Sequence, residues 1–285
     1  MVQASVSRRS FGLFVLASLG CGKRTQAAGD VVRIVSISPA MTETLFAIGA
    51  GALLVGRSKQ CDFPKEAHAL PAVSDFAEPN LEAILARKPT LVVGPSGPAT
   101  ARLVAPFKER GIETYFHSPE SVDGIGELFR SLGARVKHET ESNGAWDRCL
   151  KSAQAATDSV AGLPTKRVAM LLSTKPIYIA GAQSFPGDLV ARAGGSNVSN
   201  TRVAYPAIGI EELAAWDPDV LIDATNMAGG SGVHGGLPGF GLLRAIRDKH
   251  VVTVNDDSVL RPGPRFADGI RIVVRALHPE AVISP

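Results

Sequence analysis

The sequence contains little of what several protein classes require. Its 285 residues include 3 Cys, 6% aromatic residues and a net charge of only +3. Three cysteines cannot build a disulfide scaffold, and we expect Cys61 and Cys149 to be unpaired thiols, with a disulfide between them as the alternative. Lys and Arg are scattered, so no nucleic-acid partner is expected. The remaining composition is that of a globular protein with room for two domains.

Signals of catalysis and of metal binding are also missing. The sequence has no nucleophile elbow, and the glycine-rich segment 229–236 lacks the lysine of a phosphate-binding loop. The 6 histidines are dispersed, and none lies three or four residues from another, the spacing of a helical metal pair. We therefore expect a non-enzyme without a resident metal or cofactor, and an α/β enzyme stays as the alternative class.

The first 30 residues have the pattern of an export signal. Arg8 and Arg9 precede an apolar run from Phe11 to Leu19, and no acidic residue occurs before Asp30. A helix of that length would reach about half of a ~30 Å hydrocarbon core, so it cannot span a membrane. Residues 7–11 resemble the twin-arginine export signal, with a general secretory signal as the alternative.

The signal ends at a candidate lipidation site. Residues 19–21 resemble a bacterial lipobox, which would make Cys21 the lipidated first residue of the mature protein. Ser18 stands where that motif usually has a large aliphatic residue, so cleavage near Ala27 to give a soluble protein is the alternative. We expect export through the twin-arginine signal to the periplasm or the outer face of a bacterial membrane, with the lipid anchor as the contact to that membrane.

From Val31 onward, short β-rich apolar runs alternate with segments of helical period, which predicts an α/β fold with largely parallel sheets. The predicted strands are 31–37, 53–55, 91–93, 112–116, 168–172, 220–222 and 251–254. Ser38 and Pro39 are predicted to start a helix that ends at Ile48. Residues 136–160 contain no Pro and a single Gly, and their apolar or small residues at helical spacing predict one long helix.

An internal repeat is the most informative feature. In residues 80–93 and again in 209–222, an apolar residue and a Glu start a short helix, Pro stops it, and three apolar residues form a strand. A weaker echo pairs 45–51 with 189–195. The alternative is that helix, proline and strand simply recur in α/β proteins. We predict a signal segment, two related lobes and a linker helix, with the boundaries 1–30, 31–135, 136–162 and 163–285.

The repeat places Glu82 and Glu211 at matching positions on the two lobes. Two such negative sites suit a partner with two-fold symmetry. A carboxylate in a first helical turn also complements the helix dipole, by about 0.3–1 kcal/mol. Both interpretations can hold together.

Several motifs, in chain order, carry a family resemblance. They are Arg33 to Glu43, Asp62-Phe63-Pro64, Asn80-Leu81-Glu82 with Lys88-Pro89, and Arg261 to Arg265. Over about residues 33–279 the chain resembles the bacterial substrate-binding proteins for cobalamin, haem and iron-siderophores that serve ABC importers. The resemblance implies two Rossmann-like lobes joined by a single long α-helix, the class III periplasmic-binding-protein type, with ligand in the cleft and little domain closure.

The resemblance also implies functions for particular residues. Glu82 and Glu211 would dock a monomeric binding protein on arginines of a permease dimer. The opening motif, residues 62–64 and Tyr205-Pro206 are most similar to the cobalamin-binding branch, so the expected ligand is a corrinoid. The implied ligand-binding residues are Asp62, Phe76, Tyr178, Tyr205, Gln60, Pro95, Asp256 and Arg265. Gln60 and Pro95 replace aromatic residues of that branch, and core packing is the alternative for the aromatic residues.

Two other ligands suit the same architecture. A ferric siderophore would favour arginines that contact its anionic oxygens. The available arginines are Arg57, Arg202, Arg261 and Arg265. Haem would need an axial Tyr or His, which Phe76 cannot supply and Tyr178 or Tyr205 could. His117 and His234 lie in predicted loops where one could approach a ligand's metal, and residues 229–236 are interpreted as a flexible loop near the cleft mouth.

Overall fold

The computed structural model describes Met1 and residues 32–74, 79–230 and 232–283. The signal segment with Cys21, and Phe76, lie outside these described residues. From Val32 onward the chain forms one compact unit. Among the helices that the structure describes, none combines the length and the apolar character that crossing a membrane requires.

The first sheet contains five parallel strands in the order β3-β2-β1-β4-β5. These strands are β1 Ile34–Ser36, β2 Leu54–Ser58, β3 Ala72–Ser74, β4 Leu91–Gly94 and β5 Glu113–Phe116. Its helices are α1 Pro39–Ala47, α2 Leu81–Leu85 and α3 Pro98–Lys108, with 3-10 turns at Gly51–Leu53 and Lys65–Ala69. Helix α1 begins as predicted, because the Ser38 side chain caps it by accepting from the Met41 N–H.

Two helices follow the first sheet, and the second is the linker helix that the sequence predicted over about 136–160. Helix α4 spans Val122–Val136 and helix α5 spans Glu139–Asp158. The predicted start of the linker helix was wrong, because Lys137 adopts a left-handed conformation with φ 59° and terminates α4. Helix α5 therefore begins at Glu139. With 20 residues, α5 is about 30 Å long.

The second sheet is mixed and has the order β11-β10-β6-β7-β9, with β8 also paired to β6. Its strands are β6 Lys166–Thr174, β7 Ile177–Ala180, β8 Gly195–Asn197, β9 Ala207–Ile208, β10 Val220–Asp223 and β11 Val251–Thr253. Strand β7 is antiparallel to both β6 and β9, whereas β8, β10 and β11 join by parallel pairing. The helices are α6 Phe185–Arg192, α7 Ile210–Trp216, α8 Arg244–Arg247 and α9 Phe266–Leu277, and 3-10 turns lie at Thr225–Ala228, Phe240–Leu242 and Asp257–Val259.

The two copies of the repeat form the same local structure. Helix α2 leads into β4 beside β1, and helix α7 leads into β10 beside β6. Each helix end is bound by an arginine at the start of the neighbouring strand, since Arg33, which precedes β1, donates to the Lys88 carbonyl and Arg167 of β6 donates to the Trp216 carbonyl. Lys88 and Asp217, at matching positions, both have positive φ. The α/β class with two lobes is therefore confirmed.

Helix α5 packs against both lobes at once. Trp146 lies between Phe129 of α4 and Phe266 of α9, with ring centroids 5.5 Å apart in each case. A Cβ at Gly126 would lie 2.8 Å from the Trp146 ring, so only glycine permits this contact between α4 and α5. One continuous hydrophobic core includes buried residues of both sheets. Such packing holds the lobes at a fixed separation.

Candidate functional site

A cavity of about 660 Å³ lies where the carboxyl-terminal ends of both sheets face each other. The first sheet contributes the segments that follow its five strands, represented in the wall by Ser38, Gln60, Ser74, Pro95 and His117. Strand order reverses direction on either side of β1, and such a switch point opens a crevice at the strand ends. The opposite wall comes from Met227 after β10 and residues 257–262 after β11.

The cavity wall is largely apolar, with many prolines. Five prolines line it: Pro39, Pro79, Pro95, Pro119 and Pro262. Each presents an apolar ring and no backbone N–H donor. Recognition of polar groups therefore falls to a few side chains in the wall.

Three polar side-chain atoms in this wall are buried and have no hydrogen-bond partner among the described residues. They are Gln60 Oε1, Ser74 Oγ and His117 Nε2. Buried polar groups are normally hydrogen-bonded, and each unsatisfied one costs about 1–3 kcal/mol. The three residues follow or end strands β2, β3 and β5, at the two sides of the first sheet. A bound ligand with polar groups on two sides could satisfy them.

Ion pairs connect the two lobes beside the cavity. Glu43 of α1 is almost fully buried, and it accepts two hydrogen bonds of 2.8 Å from Arg265. Arg261 donates to Asp62 at 2.6 Å, pairs with Asp257 at 2.7 Å and approaches Glu43 at 3.4 Å. Burial acts to raise the pKa of Asp62, but the hydrogen bond and charge of Arg261 outweigh it and hold that pKa below its usual value.

Asp62 and Arg265, both predicted to contact ligand, take part in these interlobe contacts, and Asp256, the third such residue, lies beside Arg265 within the second lobe. Asp256 lies 3.7 Å from Arg265 and caps the next turn by accepting from the Ser258 N–H. The Arg265 guanidinium also stacks 4.4 Å from the centroid of Phe63. None of Asp62, Asp256 and Arg265 is part of the described cavity wall, whereas Gln60 and Pro95 are. Ligand contact by the first three residues stays a prediction.

The two predicted tyrosines lie outside the described wall. Tyr178 is on β7 and 41% exposed. Tyr205 is 40% exposed, and its hydroxyl donates to Glu120 at 2.7 Å, next to Pro119 of the cavity wall. Burial of the phenol, followed by the negative charge of Glu120, raises the pKa of Tyr205. Ligand contact by the two tyrosines stays a prediction.

Glu120 belongs to a pair of contacts that sequence reasoning missed. It also accepts from the Phe185 N–H at the start of α6, and Asp188 of α6 accepts from the Val122 N–H at the start of α4. Glu120, which precedes α4, thus binds the first turn of α6, and Asp188 of α6 binds the first turn of α4. Glu43 and Asp257 were also missed, although Glu43 ends the opening motif. No motif marked Glu120 or Asp257.

The two glutamates of the repeat occupy equivalent surfaces. Glu82 and Glu211 are both exposed and lie in the first turns of α2 and α7. Helix α2 is capped by Asn80, which follows Pro79 of the cavity wall, so Glu82 lies near the edge of the cavity. Their docking function stays a prediction.

Some of the histidines and arginines considered for haem or siderophore binding lie in the cavity wall, and others do not. His117 is in the cavity wall and stacks on Tyr115, whereas His234 is exposed and outside it. Arg57 is buried and donates to two backbone carbonyls, and Arg202 is exposed. Groups of three or more metal-ligating side chains do not occur within the described ranges. Cys61 and Cys149 are free thiols.

Comparison with known proteins relates this geometry to a family. A family model described as "Periplasmic binding protein" matches residues 34–258. A vitamin B12-binding protein of Vibrio parahaemolyticus is 29% identical over 254 residues, covering 86% of this chain and 89% of the relative. One of Yersinia pestis is 26% identical over 243 residues, covering 85% of each.

Two of the solved structures with a similar fold are named for different ligands. The vitamin B12-binding protein BtuF of Vibrio cholerae superimposes with a TM-score of 0.74 and 27% identity, over 86% of this chain and 96% of that one. The haem-binding protein BhuT, solved with two haems, gives a TM-score of 0.76 and 27% identity, over 86% and 97%.

Proposed function

Because the chain belongs to the periplasmic binding protein family, we propose that it captures a corrinoid in the cavity between its lobes and delivers it to an ABC importer. The observation that carries the proposal is the cavity itself. Its volume of about 660 Å³ is typical of ligand sites, and both lobes contribute to its wall. The similarity to vitamin B12-binding proteins over most of the chain supports a corrinoid as cargo. No resident cofactor is part of the proposal.

Capture takes place with little change in the separation of the lobes. Trp146 packs against α4 and α9, and the Glu43–Arg265 pair joins α1 to the start of α9. A large hinge motion would break both contacts and expose a buried carboxylate, which is costly. The cavity is therefore largely formed before ligand arrives.

Delivery uses Glu82 and Glu211 as two exposed negative contacts for a permease dimer. Their equivalent positions suit a partner with two-fold symmetry, and complementary charge would steer encounter and fix orientation. The protein acts as a monomer that reaches the periplasm through a twin-arginine signal and is tethered to a membrane by lipidated Cys21.

Direct titration tests the ligand. Purified mature protein is titrated with cyanocobalamin, haemin and ferrichrome, followed by calorimetry and by visible spectra. We expect saturable binding of cyanocobalamin with one ligand per chain. Binding of an iron ligand alone would contradict the corrinoid proposal.

Haem is the second candidate, because one observation favours it. The His117 imidazole lies in the cavity wall with Nε2 unpartnered, and histidine is a common axial ligand of haem iron. The structural similarity to BhuT at 27% identity supports the same candidate. If haem is the cargo, haemin binding gives a Soret band that changes in His117→Ala.

A further inference from the structure

The polar atoms left unsatisfied in the cavity restrict what a ligand must carry. Gln60 and Ser74 belong to the β2–β3 side of the first sheet, and His117 follows β5 on the other side. Strands β2 and β5 are three positions apart, which is about 14 Å at the usual strand spacing. A ligand that satisfies both sides therefore needs hydrogen-bonding groups on opposite edges.

One of these atoms requires a hydrogen-bond donor from the ligand, and the other two can be satisfied by a donor or an acceptor. Gln60 Oε1 accepts only, whereas the Ser74 hydroxyl and a neutral His117 imidazole can donate or accept. A carboxamide offers an N–H donor and a carbonyl acceptor. It can therefore form a hydrogen bond with Gln60 whether the oxygen or the NH2 group of the glutamine side chain faces the ligand. A carboxylate offers acceptors alone.

The charges beside the cavity disfavour a carboxylate. Within the described part of the wall, Arg261 is the one Lys or Arg side chain, and it already pairs with Asp62 and Asp257. The interlobe cluster contains four carboxylates, Glu43, Asp62, Asp256 and Asp257, and two arginines. In sequence, the segment 75–78 contains no Lys or Arg either. A ligand carboxylate would lose hydration there without gaining a free cation.

We propose that Gln60, Ser74 and His117 recognise carboxamides around the edge of the ligand, and that the cavity discriminates against ligands with carboxylates at those positions. The inference rests on the proposed function, and it deepens it. The corrin ring of cobalamin carries carboxamide side chains on all its edges, whereas haem has two carboxylates on one edge. The cavity thus selects by the periphery of the macrocycle as well as by its size.

Two corrinoids with the same ring but different side chains test whether the side chains, and not only the ring, determine the affinity. Dicyanocobinamide carries side-chain amides, and dicyanocobyrinic acid carries carboxylates in their place. We expect the amide form to bind about 100-fold more tightly at pH 7.5. Equal affinities would overturn the inference while leaving the proposed function in place. If neither dicyanocobinamide nor cyanocobalamin binds, the proposed function is wrong, and this inference with it.

A pair of serines provides a matched test of the hydrogen bonds. Ser58 and Ser74 are paired in register on β2 and β3, both are buried, and both line the cavity. The Ser58 hydroxyl already has a partner in Cys61 Sγ at 3.1 Å, whereas that of Ser74 has none in the part of the chain that the structure describes. Ser74→Ala should weaken dicyanocobinamide binding about 5-fold without lowering the melting temperature, and Ser58→Ala should weaken it less than Ser74→Ala does, because the Ser58 hydroxyl is already engaged by Cys61.

Variants at the other two residues extend the test to both sides of the cavity. Gln60→Ala, and His117→Phe, which keeps a ring to stack on Tyr115, should each weaken dicyanocobinamide binding about 5- to 20-fold. Their affinity for the carboxylate form should change less. Wild-type affinity for dicyanocobinamide in all three variants, Ser74→Ala included, would overturn the proposed recognition.

Discussion

Glu43 and Arg265 are 222 positions apart in the sequence, and they form a bidentate ion pair. Arg265 Nε and Nη2 each donate to one Glu43 carboxylate oxygen at 2.8 Å. Glu43 is 1% exposed, so Arg265 neutralises a carboxylate that water hardly reaches. The pair joins α1, whose start lines the cavity, to the residue that precedes α9. It therefore fixes the position of one cavity wall relative to the other.

Removing the arginine from this pair should destabilise the protein strongly. Arg265→Gln leaves a buried carboxylate without its main partner, and we expect the free energy of unfolding to fall by about 3 kcal/mol. Urea unfolding followed by circular dichroism measures it. Arg202→Gln, at an exposed arginine, is the control and should change stability by less than about 0.5 kcal/mol. A loss below about 1 kcal/mol for Arg265→Gln would show that the pair does not hold the lobes.

The architecture was predictable from the sequence where the pattern was long or repeated. The two copies of the helix–proline–strand unit identified β4 and β10 correctly, because buried parallel strands form unbroken apolar runs. Strands β3, β7, β8 and β9 were missed, and of these β8 and β9 have only 3 and 2 residues and lack the apolar runs that revealed the other short strands. The start of α5 was misplaced because Lys137 gives no sequence sign of its left-handed conformation.

The site was only partly predictable. Gln60 and Pro95 were chosen by family position, and the structure places both in the cavity wall. Asp62 and Arg265 were chosen in the same way, yet they form interlobe ion pairs. Pairing over about two hundred positions leaves no trace in a single sequence, so the partner Glu43 could not be assigned from the motif that contains it.

Acid should weaken the interlobe contacts through Asp62. Its folded-state pKa lies below the ordinary value, so its contribution to stability is complete above about pH 4 and is lost as the pH falls through the folded pKa. Asp62→Asn should therefore lower stability at pH 7, and the difference from wild type should shrink towards pH 3. Urea unfolding at pH 7, 5 and 3 measures this. Asp248→Asn, at an exposed carboxylate, serves as the control, and a gap for Asp62→Asn that stays constant with pH would contradict the prediction.

Alanine substitutions at two glycines test the packing of α5, because they should change stability in opposite directions. A methyl group at Gly126 would lie 2.8 Å from Trp146, so Gly126→Ala should cost about 1–3 kcal/mol and shift tryptophan fluorescence. At Gly144, inside α5, the nearest atom to a new Cβ is the end of Arg148 at 3.5 Å. Gly144→Ala should therefore raise stability by about 0.5–1 kcal/mol through helix propensity. Equal effects of the two changes would show that Trp146 does not fix α4 against α5.

Charge reversal on the two lobes tests docking separately from ligand capture. Glu82 and Glu211 are exposed in the first turns of α2 and α7, and neither is part of the described cavity wall. The double variant Glu82→Lys/Glu211→Lys should abolish cobalamin uptake by cells that depend on this protein, because two attractive contacts with the permease become repulsive. Its affinity for cyanocobalamin in solution should remain that of the wild type.

The neighbouring glutamate supplies the control for that experiment. Glu212 lies in the same first turn of α7 and is equally exposed, but it has a different direction around the helix axis from Glu211. Glu212→Lys adds the same charge to the same helix and should leave uptake close to wild type. Loss of uptake in Glu212→Lys as well would indicate a general effect of positive charge, and loss of ligand affinity in the double variant would refute the docking function. Uptake of labelled cyanocobalamin, measured beside calorimetric affinities for each variant, distinguishes these outcomes.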